Sequence, residues 1–192
     1  MNTNYEIFHS ICESRKSCRK FAPEPVADEL IDKILKTAAT SPFASGRKNW
    51  RVEVVRDKDL FNKLASAVNS KAEMMASDMD DDMAILFKRY IQNFIQFEDA
   101  PVLLIPVFRI SPIMKSILRD RLTSDLESWE RDNAVKSISC VAMLILLAAQ
   151  SLNLGAVYMT GPLIAGEELS SILGLPPGQE TGAIIPVGYP LK

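Results

Sequence analysis

Apolar residues recur at two spacings along this chain, and the switch between them marks out its elements. Residues 28–40 carry Leu30, Ile34, Leu35 and Ala38 at helical spacing, with Asp28 placed as a cap and Pro42 beyond as the stop. Residues 52–55 read as a short strand, ended by the charged pair Arg56-Asp57. Helical spacing returns over 57–68 through Leu60, Phe61, Leu64 and Val68, and a longer helix is expected over 78–97. Its acidic start (Asp78, Asp80, Asp81, Asp82) suits the positive end of a helix dipole better than a metal loop, because no spaced Gly or terminal Glu completes one.

Residues 101–108 are continuously apolar, which makes them a buried strand. The stretch 111–130 mixes charges with Met114, Ile117, Leu118 and Leu122 and reads as mobile helical cover. Residues 134–152 are apolar on nearly all faces, the mark of a central buried helix, and Gly155 is expected to stop it. A strand over 156–159, a short helix over 167–173 closed by Gly174, and a final strand over 183–187 complete the series. The alternation lacks a regular βαβ rhythm. An α+β, three-layer α/β/α domain over residues 1–192 is therefore expected, with a mixed central sheet surrounded by helices.

Composition narrows the chemistry. The chain has 192 residues, 24 acidic and 22 basic side chains and a formal net charge of −2, which argues against a nucleic-acid or anionic-membrane partner. With His9 as the single histidine, any mechanism or metal site that needs two within one chain is excluded. His9 itself, spaced among Ile7, Phe8 and Ile11, reads as an exposed helix residue. Cys12, Cys18 and Cys140 form no C-x-x-C pair and suit free thiols in a reducing cytoplasm. No basic leader is visible at the N-terminus, and the longest apolar run, 140–149, is half of the roughly 20 residues a membrane span needs. Side chains so poorly stocked for acid–base work shift weight to a bound cofactor.

Three segments could carry that chemistry. In S-R-K-S-C-R-K-F, Arg15, Lys16, Arg19 and Lys20 place four cations in six residues around Ser17, the pairing of cation and hydroxyl that suits a phosphate; a solvated basic turn after a helix is the plain alternative. Residues 41–51 combine Pro42, Phe43, Ala44, Gly46, Arg47, Lys48 and Trp50, allowing backbone to approach a flat ligand, or simply leading into a strand with Trp50 as an anchor. Residues 158–162 turn through Thr160 and Gly161, whose N–H groups either face a ligand or close an ordinary turn. No G-x-G-x-x-G, P-loop or G-x-S-x-G signature is present.

Taken in order, these segments resemble the nitroreductase family of FMN-dependent oxidoreductases. The family's R-x-S-x-[RK]-x-[FY] element is matched by Arg15, Ser17, Arg19 and Phe21, and a following V-x-x-x-x-[LI] helix start by Val26 and Ile31 with some slack. Its S-P…W loop is matched by Ser41, Pro42 and Trp50, and an Ala-Pro strand by residues 100–107. A Leu-Leu-Ala-Ala helix ending at Ala149, the Asn153-Leu154-Gly155 break and the closing I-P-V-G-Y-P at 185–190 complete the match.

The resemblance implies that Arg15 and Ser17, with Lys16 between them, meet the FMN phosphate. It places Arg19 at the flavin N1/O2 edge, where a cation stabilises the reduced ring, and the Thr160 and Gly161 amides at N5/O4. It implies a homodimer with FMN at the interface, the loop of Pro42, Phe43, Ala44, Gly46 and Lys48 reaching the neighbouring subunit's flavin. Gly46, Lys48 and Asn49 stand where the family has Asn, Gln and Pro. A basic tail that usually completes the phosphate site is absent after Lys192, leaving Lys192 or Arg47 to supply the charge.

The function so implied is an FMN-dependent oxidoreductase using NADH or NADPH. It would reduce a nitroaromatic, quinone or similar electrophilic small molecule by alternating hydride transfer through flavin N5, with no catalytic side chain and no metal. Relatives that dehalogenate, fragment flavin or oxidise azolines give one alternative. A non-catalytic FMN-binding protein gives another.

Overall fold

The structure is a computed structural model that describes residues 3–44, 48–110 and 113–191. Helix α1 (Asn4–Ser14) opens on a capping box, the Glu6 N–H donating to Thr3 Oγ1 at 3.2 Å and the Thr3 N–H to Glu6 Oε2 at 2.6 Å. No residue of α1 is buried, and His9 is exposed, stacked on Tyr5. Helix α2 (Asp28–Ala38) buries Ile31, Ile34 and Ala38. Asp28 does not cap it: Ala27 holds the cap position without a side-chain bond, while Asp28 lies in the first turn and accepts from Arg56 at 2.6 Å. A tertiary cation has displaced the local role.

Strand β1 (Trp50–Val55) leads to α3 (Lys58–Ala76), capped by Asp57, whose side chain accepts the Asp59 N–H at 2.9 Å. The helix expected over 78–97 is shorter than its apolar pattern. Asp80 caps α4 (Asp81–Ile91), which gives way to a 3₁₀ turn over Gln92–Phe94. Strand β2 (Val102–Arg109) and helix α5 (Ile113–Leu118) follow. The cover expected over 111–130 is thus α5, a 3₁₀ turn at Arg119–Arg121 and the opening turns of α6; Ser111 and Pro112 lie outside the described residues.

Helix α6 (Ser124–Ser151) begins well before the apolar stretch that announced it. Its early turns are polar and exposed, so apolarity marked the buried part and not the helix. By length and composition alone α6 could cross a membrane, yet here it packs Ile138, Val141, Ala142, Ile145 and Ala149 into the core. Gly155 is not its stop. Asn153, at φ 59°, takes the left-handed position, with Asn153 N–H donating to the Gln150 carbonyl at 3.1 Å and Leu154 N–H to that of Ala149 at 2.9 Å. These two bonds close a Schellman turn. Strand β3 (Gly155–Ala156), helix α7 (Gly166–Ile172) closed by Gly174 at φ 63°, and strands β4 (Gln179–Thr181) and β5 (Ile185–Gly188) complete the chain.

The sheet runs β1-β2-β5-β3, with β4 pairing a further stretch of β2. Its ladders are antiparallel, Trp50 facing Phe108 and Val102 facing Val187, and a parallel Ser17–Ala156 bridge at the β3 edge makes it mixed. Strand β2 is the centre of the molecule. Val102, Leu104 and Phe108 point toward α2 and α6, whereas Leu103, Ile105 and Val107 pack with Phe61, Leu64 and Val68 of α3 and Leu169 of α7. Both faces are covered, which explains a continuous apolar run in place of alternation. The result is the expected three-layer α+β arrangement.

Candidate functional site

Past α1 the chain becomes extended, because it adds to the β3 edge. Cys18 N–H donates to the Ala156 carbonyl at 3.0 Å, Ala22 N–H to that of Tyr189 at 2.8 Å, and Leu191 N–H to that of Lys20 at 3.0 Å. Phe21 is buried and anchors the segment in the α3-side core. The cationic stretch is therefore not a loose turn; it is pinned between β3 and the residues after β5.

Among the described residues Arg15, Lys16, Arg19 and Lys20 have no ion pair, and the Ser17 hydroxyl has no hydrogen-bond partner. Elsewhere five cations are paired, among them Arg56–Asp28 at 2.6 Å, Lys88–Glu73 at 2.5 Å and Arg131–Glu180 at 2.7 Å, while others such as Lys33, Lys115 and Arg121 are likewise without an ion pair among the described residues. What sets this segment apart is density: four cations without an ion pair lie within six residues of a chain of net charge −2, a local concentration of positive potential. Between them the Cys18 thiol is pushed up by burial, partly offset by the Lys20 backbone.

Arg19 also lines a cavity of about 530 Å³, and its other walls are Tyr90, Asn93, Gln96, Thr160 and Gly161. The fold thereby joins two of the three segments singled out by sequence. Thr160 precedes a 3₁₀ turn over Gly161–Ala165. Among the described residues neither the Thr160 nor the Gly161 N–H donates to a protein acceptor, and Pro162 has none to offer. The cavity is thus bordered by two unused amides on one side and a guanidinium on another.

Asn93 and Gln96 were not singled out by sequence. Gln96 Nε2 donates to Asn93 Oδ1 at 3.2 Å, Asn93 Nδ2 donates to the Tyr90 carbonyl at 3.0 Å, and Gln96 Oε1 is buried without a partner. Oε1 is shielded from the cavity surface as it stands, and a rotation of the carboxamide would turn this unsatisfied acceptor toward an N–H group of a ligand. The available signal was three carboxamides, Gln92, Asn93 and Gln96, among the apolar residues of I-Q-N-F-I-Q-F, on a segment expected to be plain helix.

The third segment goes elsewhere. Phe43 and Ala44 line a separate cavity of about 200 Å³ with Met114, Trp129 and Glu130. The Ala44 N–H donates to Ser137 Oγ at 3.0 Å, Lys48 Nζ donates to the Ala39 carbonyl at 2.8 Å, and the Phe43 ring lies 6.4 Å from that of Trp50. Pro42 is exposed. None of the described residues of this loop lines the Arg19 cavity. Gly46, Arg47 and Lys192 lie outside the described residues. Arg15, Lys16 and Ser17 share Arg19's segment but do not line its cavity.

Comparisons with known proteins follow the same outline. The model of the nitroreductase family matches residues 12–189. The iodotyrosine deiodinase of Hydra vulgaris is 29% identical over 190 residues, covering 96% of this chain and 65% of that protein. The chain thus spans somewhat less than two thirds of that relative's length. Among solved structures, a BluB-like flavoprotein from Clostridium difficile superposes with a TM-score of 0.84 at 25% identity, covering 96% of this chain and 90% of its own. A nitroreductase with bound FMN from Desulfitobacterium hafniense gives a TM-score of 0.72 at 23% identity, covering 100% and 91%, a likeness of fold.

Proposed function

The chain belongs to the nitroreductase family, and on that premise we propose that it binds FMN and reduces an electrophilic small molecule with electrons from NADH or NADPH. One observation carries the reading: a single cavity is lined by Arg19 and Gln96 together with Thr160 and Gly161, whose N–H groups have no protein acceptor among the described residues. A flavin needs those groups at its edge, and the unneutralised Arg15 and Lys16 with the free Ser17 hydroxyl fit its phosphate. When bound, FMN supplies two-electron chemistry at N5.

The chain's own residues then have defined tasks. Arg15, Lys16 and Ser17 hold the phosphate and so fix the ring's approach. Arg19 offers positive charge to the electron-rich edge of the reduced ring. The Thr160 and Gly161 N–H groups donate to the opposite edge, and Gln96 accepts from a ring N–H. The open side of the cavity beneath Tyr90 admits a flat nicotinamide or acceptor, and protons come from water.

A second copy of the chain completes the site in this reading. Helix α1 buries none of its residues while Tyr5, Ile7 and Phe8 are 50–71% exposed, an apolar surface suited to a partner subunit. The loop of Pro42, Phe43 and Ala44, none of which lines its own chain's Arg19 cavity, would then serve the partner's. The three free thiols suit a cytoplasmic setting.

The test begins with an absorption spectrum after incubation with FMN. Oxidised-flavin bands retained through gel filtration support the reading; none sinks it. Anaerobic mixing with NADH or NADPH, then with menadione or a nitrofuran, is expected to bleach and restore those bands. The Hydra relative favours a second reading, reductive removal of halogen from an aromatic. Iodide release from 3-iodotyrosine with dithionite-reduced protein, without bleaching by either nicotinamide, would favour it.

A further inference from the structure

Packing, not hydrogen bonding, decides where the two amides of the Thr160–Gly161 turn point. The strand before the turn is held, since Met159 N–H donates to the Ile184 carbonyl at 3.1 Å and Ile184 N–H to that of Met159 at 3.0 Å. After the turn, Leu163 N–H donates to the Thr160 carbonyl at 3.0 Å. Between those fixed points one side chain, Phe94, fills the space in which a Gly161 side chain would begin. A Cβ at Gly161 would stand 2.5 Å from Phe94 Cε1 and 2.6 Å from Phe94 Cγ, so the ring lies directly on the Gly161 backbone.

Phe94 is itself held. Its ring meets that of Tyr90 edge-on, 5.1 Å between centroids at 74°, the favoured aromatic geometry, and it packs against the α3-side core. Phe94 sits in the 3₁₀ turn between Asn93 and the Gln96 segment, so one short stretch of chain both lines the cavity and braces its far wall. Glycine at 161 is what admits the ring.

We propose that Phe94 is a positioning residue: seated on Gly161 and braced by Tyr90, it holds the Thr160 and Gly161 amides in register with one edge of the bound flavin. The inference rests on the FMN reading above. Reduction adds negative charge to the carbonyl oxygen at the amides' edge as well as to the edge that faces Arg19, so N–H donors held on that oxygen favour the reduced ring. Loss of the brace therefore weakens binding of reduced FMN more than of oxidised FMN and lowers the potential of the bound pair. The phosphate site, on another segment, is left intact.

The experiment uses the full chain reconstituted with FMN and compares wild type with Phe94→Ala, Phe94→Leu and Phe94→Tyr. The readouts are the oxidised-FMN dissociation constant, the visible spectrum of bound flavin and its midpoint potential. For Phe94→Ala the expected result is oxidised-FMN affinity within about threefold of wild type and displaced visible bands. The affinity ratio for reduced over oxidised FMN should fall about tenfold, or about 30 mV for a two-electron couple. Phe94→Tyr, which keeps the ring, should return both signatures to wild type, and Gly161→Ala, which evicts the ring, should reproduce the loss.

Phe94→Ala with unchanged spectrum and potential overturns the proposal. So does Phe94→Tyr that fails to rescue. Should Phe94→Ala not fold, Phe94→Leu, which keeps volume without a flat ring, decides by the same readouts. A wild-type chain that takes up no FMN removes the reading underneath and the proposal with it. A flavin-loaded wild type with an indifferent Phe94 removes the proposal alone.

Discussion

Gly155 and Cys18 share a space that admits one side chain. A Cβ on Gly155 would come within 2.5 Å of Cys18 Sγ and 2.7 Å of its Cβ, so the bare backbone of β3 lets the cationic segment lie flush against the sheet edge. Within the Asn-Leu-Gly break Asn153 stops the helix, and Gly155 does this different work.

Gly155→Ala is expected to force the segment off β3, with overpacking costing about 1–3 kcal/mol. Urea unfolding reads the cost. Adding Cys18→Gly, which clears both atoms, should recover part of it, and simple additivity of the two changes would show that the sites are not coupled.

Arg15→Ala should weaken FMN binding by about 1.5–3 kcal/mol, the worth of a charge-assisted hydrogen bond. Fluorescence titration measures it. An unaltered dissociation constant would remove Arg15 from the phosphate site.

Asn153 holds the left-handed end of α6. Asn153→Ala should cost less than the roughly 1–2 kcal/mol full penalty for a Cβ in that conformation, because asparagine already carries a Cβ and the change removes only the polar group that eases it into this region. Asn153→Gly should be neutral or mildly stabilising, as glycine enters the region freely. Equal losses for both would point to a side-chain role in place of backbone strain.

Burial raises the Cys18 thiol while Cys140 is exposed, so alkylation should separate them. Cys140 is expected to react first with iodoacetamide, and Cys18 to acquire thiolate reactivity only at higher pH. The sign for stability follows. A folded pKa above the unfolded one favours the native state fully below the unfolded pKa, and that contribution fades as pH rises through the folded value. Mass-resolved labelling from pH 7 to 10 with equal rates for both thiols would contradict this.

Elements were legible where one local cause sets them. Strand β2 announced itself because both faces are covered, and Gly174 because a left-handed stop needs no tertiary partner. Asp28 misled because Arg56, distant in sequence, claims its carboxylate. The start of α6 was hidden because its first turns face solvent and carry no apolar signature. Of the candidate site, the cations and the Thr160–Gly161 turn could be read from residue types. Asn93, Phe94 and Gln96 could not, since their meaning arises only when α4's exit is folded against a turn that comes much later in the chain.

The hydrogen bond from Leu191 to Lys20 has a practical consequence for handling the protein. A run of acidic side chains joined beyond Leu191 would begin beside Lys20 and compete with an anionic ligand for its charge. A tag at the other end enters through α1, whose capping box closes at Thr3 and which gives the core no buried residue. Affinity measurements on the two fusions need not agree, and the tag-free chain is the one whose binding curve describes the site.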